Sequence, residues 1–173
     1  MVHTERGNFQ GILIGSQTAI IDNPTLLTTS PTKFPPVRIV LDRRGRLKDN
    51  PTLHLLTDGQ APTWIFTENS SLQDQFAKGI RVFYRRTWSI NDILHELGCR
   101  EIQSVYVEGG PTVHQAFLWE GLFEELITYL APQMLGEKGV PGMESPHQLH
   151  LAHQEIKILE NNIRIAERKI ENV

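Results

Sequence analysis

Short apolar runs rich in Val, Ile, Tyr and Phe recur along the chain, each closed by turn-forming residues. They occupy residues 11–15, 37–42, 63–67, 80–84 and 104–107. Runs of this length and composition predict strands. Helical patterns lie between the later ones, over 71–78 and 89–97. In the second, Ser89 and Asp92 resemble a capping box, and Gly98 supplies a stop. Strand alternating with helix predicts an α/β domain with a mainly parallel sheet flanked by helices. The last third changes character. Residues 125–131 read as a long strand and 132–146 as a Gly/Pro-rich loop. Residues 155–160 and 163–169 alternate apolar and polar positions around Asn161-Asn162, the pattern of a hairpin. A helical tail is the rival reading, but the spacing of Ile156, Ile158, Ile163 and Ile165 favours strands. The expected result is an antiparallel C-terminal hairpin at the edge of an otherwise parallel sheet.

Composition narrows this picture. A chain of 173 residues without internal repeats predicts one domain, 1–173. A formal charge of −3 argues against a strongly basic nucleic-acid binder, while leaving room for a local basic pocket. The single cysteine, Cys99, has no intrachain partner, which suits the reducing cytoplasm. The apolar runs are too short to span a membrane, and residues 1–7 carry no apolar signal core.

Candidate chemistry begins at Val107-Glu108-Gly109-Gly110-Pro111-Thr112, which closes a strand and opens a helix. Pro111 suits the first helical turn. Gly109 and Gly110 let backbone amides approach a ligand, and free amides at a helix N-terminus attract phosphate oxygens. The motif reads equally as a pyrophosphate cradle or as a bare strand-to-helix turn. It is not the G-x-G-x-x-G fingerprint of an ordinary dinucleotide-binding dehydrogenase. Glu108 can accept hydrogen bonds from the ring N–H groups of a heterocycle, or from neighbouring backbone amides. A second strand runs through Gly15-Ser16-Gln17-Thr18 into a helical turn, capped by Ser16 and stopped by Asp22-Asn23-Pro24. Thr18 and Asp22 share a helical face and can meet a ribose or a nicotinamide amide; a solvated face is the plainer alternative. Asp42-Arg43-Arg44-Gly45-Arg46 follows a strand. Its arginines, Arg43 first, can bind a 2′-phosphate, or form a solvated turn. His147, His150 and His153 lack the spacing of a metal-binding helix, and no metal is expected.

These pieces occur together in an order that resembles the reductase domain of the bifunctional riboflavin biosynthesis deaminase–reductases. The resemblance rests on residues 12–18, 22–26, 36–42 and 107–112, on Gly121-Leu122 and Glu125-Leu126, and on 129–136. It implies a dihydrofolate-reductase-like fold and NADPH-dependent reduction of 5-amino-6-(5-phosphoribosylamino)uracil to the ribitylamino product. By resemblance, Thr18 and Asp22 lie at the nicotinamide end and Leu26 on the substrate side. Glu108 is then the substrate-binding carboxylate, and residues 110–116, with Gly109, Pro111 and Thr112, wrap the cofactor phosphates. Asp22 and Glu108 are the residues expected nearest the chemistry. The family's domain opens with a strand and a Ser-x-Asp-Gly segment. Here the chain is expected to begin inside the following helix, near Val2-His3, and Thr28-Thr29 stand where the family carries an Arg. No zinc-binding deaminase half is present in the sequence. A homodimer is expected from the family's tendency to self-associate and from open strand edges. The rival readings are another pteridine or pyrimidine reductase, or a non-catalytic nucleotide-binding remnant.

Overall fold

Strand β1, Gly11–Gly15, is buried at every position in the computed structural model, which describes residues 2–30, 34–134, 136, 139 and 150–170. It lies inside a parallel sheet with β2 (Val37–Leu41), β3 (Thr63–Thr67), β4 (Ile80–Tyr84) and β5 (Val105–Val107), in the order β4-β3-β2-β1-β5. Strands covered on both faces need near-continuous apolar runs. β1 and β3 have them, and both are wholly buried. Ile12, Ile14, Val40 and Ile65 meet Ala19, Leu26 and Leu47 from the connections in one core cluster.

The helices are α1 (Val2–Glu5), α2 (Ser16–Asp22), α3 (His54–Thr57), α4 (Ile90–Gly98) and α5 (Pro111–Trp119). A 3-10 turn, Arg6–Asn8, continues α1. The capping box of α4 is present in full, with Ser89 accepting from the Asp92 amide and Asp92 accepting from the Ser89 amide. Gly98 belongs to the last turn of α4 and does not end it; Cys99 caps the helix, and the left-handed residue beyond it is Glu101. The helix expected over 71–78 is a single 3-10 turn, Ser70–Leu72. Asp74 takes a φ of 64°, which a helix cannot contain. The expected Ser16 cap is also corrected. Gly15 is the N-cap and makes no side-chain bond, while Ser16 is already helical.

The chain divides into two compact units, Met1–His114 and Gln115–Val173. The second contains β6 (Glu125–Leu130), β7 (Leu151–Leu159) and β8 (Asn162–Lys169). The expected hairpin is present, displaced by one residue: Leu159 pairs with Asn162, and Glu160 turns the chain at a φ of 56°. These strands were expected at the edge of the parallel sheet. They form a three-stranded antiparallel sheet of their own, β6-β8-β7, because β8 satisfies the ladders of both neighbours. Most of the loop expected over 132–146 lies outside the described residues.

Candidate active site at the ends of β1 and β5

The first four strands are laid down outward from β1 to β4, and the chain then returns to set β5 against the other side of β1. The order of the strands therefore reverses at the β1–β5 pair. In open α/β sheets, the crevice outside the carboxyl ends of such a strand pair is where ligands bind. Both sequence motifs meet there: β1 ends in Gly15 and β5 runs into Glu108-Gly109-Gly110.

The two turns touch through backbone. A Cβ on Gly109 would lie 2.7 Å from the Gly15 nitrogen and 2.8 Å from Ile14 Cα, so glycine is required by close approach of the chains. Thr18 Oγ1 accepts from the Gly110 amide at 3.1 Å, which joins α2 to the start of α5. The expected donor Gly110 is thus already engaged within the protein. Pro111 and Thr112 are exposed in the first turn of α5, where helix amides have no intrahelical acceptor.

Glu108 is held by Arg6, from the 3-10 turn after α1. Arg6 Nε donates to Glu108 Oε1 at 2.6 Å, and Nη2 donates to Oε2 at 2.7 Å. Arg6 Nη1 donates to the Leu27 carbonyl at 2.9 Å. The side chains are 7% and 14% exposed, so the pair is nearly dry. Leu26 is 2% exposed and packs into the core cluster at a φ of 53°. The Leu26 side chain, expected on the substrate side, is therefore committed to the core in this conformation.

The other expected residues divide. Asp22 is exposed at the end of α2, and Asn23 caps that helix in the left-handed region. Arg43 is 70% exposed and faces Glu68 at 3.5 Å. The neighbouring Asp42 is fully buried and accepts from the amides of Arg46 and Leu47, so the basic segment begins as a capped turn. Arg46, not Arg43, reaches the end of β1: it donates to Gln17 Oε1 and, at 3.2 Å, to Ser16 Oγ. Thr29 contacts Thr4, and Ser30 donates to the Thr4 carbonyl, so the 28–30 loop packs on α1. His147 and the side chain of His153 lie outside the described residues. Among the described residues, no three His, Cys, Asp or Glu side chains cluster as metal ligands, and no helix is long and apolar enough to cross a membrane.

The family model described as the RibD C-terminal domain matches residues 1–165. The chain belongs to that family. The riboflavin biosynthesis protein RibD of Bacillus amyloliquefaciens is 41% identical over 147 residues, covering 81% of this chain and 39% of the relative. RibD of Aquifex aeolicus is 30% identical over 176 residues, covering 100% and 46%. The chain thus spans less than half the length of these curated relatives. An Acinetobacter baumannii RibD structure superposes with a TM-score of 0.82 at 26% identity, covering 98% of this chain and 49% of that one. A Thermotoga maritima structure, described as a diaminohydroxyphosphoribosylaminopyrimidine deaminase/5-amino-6-(5-phosphoribosylamino)uracil reductase, gives 0.81 at 23% identity, covering 98% and 48%. The RibD C-terminal fold is therefore the α/β architecture described above.

In this RibD-family domain, two residues of the site were missed in the sequence. Arg6 lies 102 residues from Glu108, and no local pattern joins them. Arg46 sits inside the basic run that drew notice, but only the turn capped by Asp42 shows which arginine points back to β1.

Proposed function

We propose that this chain is an oxidoreductase domain that reduces 5-amino-6-(5-phosphoribosylamino)uracil with NADPH in riboflavin biosynthesis. The observation that carries the reading is the meeting of the Gly15-Ser16 and Glu108-Gly109-Gly110 turns at the reversal between β1 and β5. Family membership supports it, since the curated relatives are riboflavin biosynthesis proteins.

A dinucleotide fits the residues present. The first turn of α5 opens beside a glycine turn, and Pro111 and Thr112 are exposed for close approach of phosphate oxygens. When bound, the reduced nicotinamide supplies a hydride to the sugar carbon attached to the amino nitrogen. The protein's work is positioning. Thr18 fixes the start of α5 through the Gly110 amide. Asp22, on the same face of α2, projects a carboxylate at the nicotinamide end. Glu108 accepts from ring N–H groups of the pyrimidine, and the backbone at Leu26 lines the substrate side. The turn Gly109-Gly110-Pro111-Thr112 lies against the pyrophosphate with its Gly110 amide held by Thr18, and Arg43 selects the 2′-phosphate. Further, the chain works as a cytoplasmic homodimer. Exposed Ile156 and Ile158 on β7 support self-association through the C-terminal sheet.

The test is turnover. Mixed with the phosphoribosylamino substrate, the chain should oxidise NADPH and yield the ribitylamino compound, identified by mass spectrometry. Absence of turnover together with absence of binding of either molecule would overturn the proposal.

A further inference from the structure

We infer that the amino ends of β2, β3 and β4 carry a ligand site of their own, which takes a small phosphate monoester bearing an apolar ring. The candidate active site uses the carboxyl ends of β1 and β5, so this site belongs to the opposite end of the parallel sheet and does not depend on the proposed reaction. Arg38, Trp64 and Arg81 each stand second in one of three adjacent parallel strands, and a cavity of about 550 Å³ lies against them. Sites for small ligands commonly measure about 300–1,000 Å³. Leu55 and Ile80 add apolar wall, Lys78 adds a cation beside Arg38 and Arg81, and none of the lining residues is acidic. The nearest carboxylate in sequence, Asp58, is already committed to Arg38 at 2.7 and 2.8 Å.

Charge then selects the ligand. Arg38 is 1% exposed and its charge is balanced by Asp58, yet its Nε is buried without a hydrogen-bond partner. A buried N–H without an acceptor is costly, so this wall of the cavity favours a ligand that brings acceptor oxygens. Lys78 and Arg81 are exposed, and among the described residues neither forms an ion pair. Arg81 leans instead over the Trp64 ring, 5.7 Å from its centroid, which keeps the guanidinium at the cavity. Two uncompensated cations match the charge of about −1.5 to −2 that a phosphate monoester carries at pH 7. A carboxylate brings only one negative charge. Gly59 and Gly79 also line the cavity, and a Cβ on either would meet nothing within 4 Å, so the mouth has room for the ester's ring.

A nuclear magnetic resonance titration of the full chain locates the site without requiring turnover. The probe is phenyl phosphate, with benzoate and phenol as the monoanionic and neutral controls. Phenyl phosphate should shift the Gly59 and Gly79 amides and the Trp64 indole N–H to saturation, with a dissociation constant of about 1 mM or lower. Benzoate should bind there about fivefold or more weakly, because it meets two cations with one charge. Phenol should leave these signals unmoved. Lys78→Gln with Arg81→Gln changes only exposed side chains, so the fold should persist while phenyl phosphate binds about tenfold or more weakly. Shifts confined to the Gly15 and Gly110 turns would place the phosphate at the candidate active site alone and overturn the inference. So would shifts that never saturate, or an affinity unchanged in the double variant. Equal binding of benzoate and phenyl phosphate would overturn the assignment to a phosphate monoester, and phenol binding as tightly as the ester would make the cavity merely apolar.

Discussion

Replacing Gly109 with alanine would drive a Cβ into the backbone of β1, 2.7 Å from the Gly15 nitrogen. Backbone inside a buried strand has little room to move, so a loss of about 1–3 kcal/mol in denaturant unfolding is expected. Gly110 differs. A Cβ there would lie 3.2 Å from Thr18 Oγ1, a side-chain atom that can rotate away. Gly110→Val should leave the apo fold largely intact while abolishing the rise in melting temperature that NADPH confers by mass action. Equal protection of wild type and variant would return the turn to a purely structural role. Arg43→Ala should narrow the preference for NADPH over NADH, measured as a ratio of dissociation constants; an unchanged ratio would shift attention to Arg46. Much of this site was legible residue by residue. Glu108, Thr18 and the paired glycines announce themselves by type and local spacing. The Arg6 fork and the burial of Leu26 were not legible, because each depends on which distant segment folds over it.

Among the elements, the five parallel strands and α4 were readable because local signals agreed with tertiary packing. Residues 71–78 show the reverse. Only Leu72 and Phe76 anchor that stretch to the core, and two contacts do not offset the cost of nucleating a helix. The ion pair beneath β2 was also invisible from local pattern. Arg38 is 1% exposed and donates to Asp58, which follows α3, and to the Ala61 carbonyl. Burial pushes the Asp58 carboxyl up, but the hydrogen bond from Arg38, the Gln60 amide and the nearby positive charge together hold it below its ordinary value of 3.8. A depressed acid stabilises the fold above its unfolded value and loses that contribution as pH falls through the folded one. As pH falls from about 5 through 3.8 and below, wild-type stability should therefore decline more steeply than that of Asp58→Asn, by chemical denaturation at each pH. The variant starts lower, by about 3 kcal/mol, because the buried guanidinium loses its counter-ion. Parallel pH profiles would show that Asp58 contributes nothing to acid sensitivity.

For the whole molecule, the order of the strands in sequence shows alternation but not where the path reverses, and the reversal is what makes the site. A mainly parallel α/β sheet was readable from the short apolar runs. Its division into a five-stranded sheet and a separate three-stranded one was not, because pairing partners are chosen in space. The three-stranded sheet presents Ile156 and Ile158, 61% and 80% exposed, with Ile163 and Leu130 in register beside Ile158. A row of apolar side chains on a sheet marks a surface that other protein can cover. Light scattering across a dilution series should report a dimer, and Ile158→Lys should shift the mass toward monomer. A monomer at every concentration would refute the homodimer.

The bond between Thr18 and Gly110 closes a gap of 92 residues, filled in sequence by strands built outward in the opposite direction. Such distant closures are slow steps in folding. On a growing or refolding chain, the first four strands can associate before β5 arrives, and until then the candidate site at the ends of β1 and β5 is incomplete. The capacity to bind the proposed NADPH is therefore expected to be gained late and all at once. During refolding it should lag behind the recovery of secondary structure, which makes the cofactor a timer for the moment the sheet is completed.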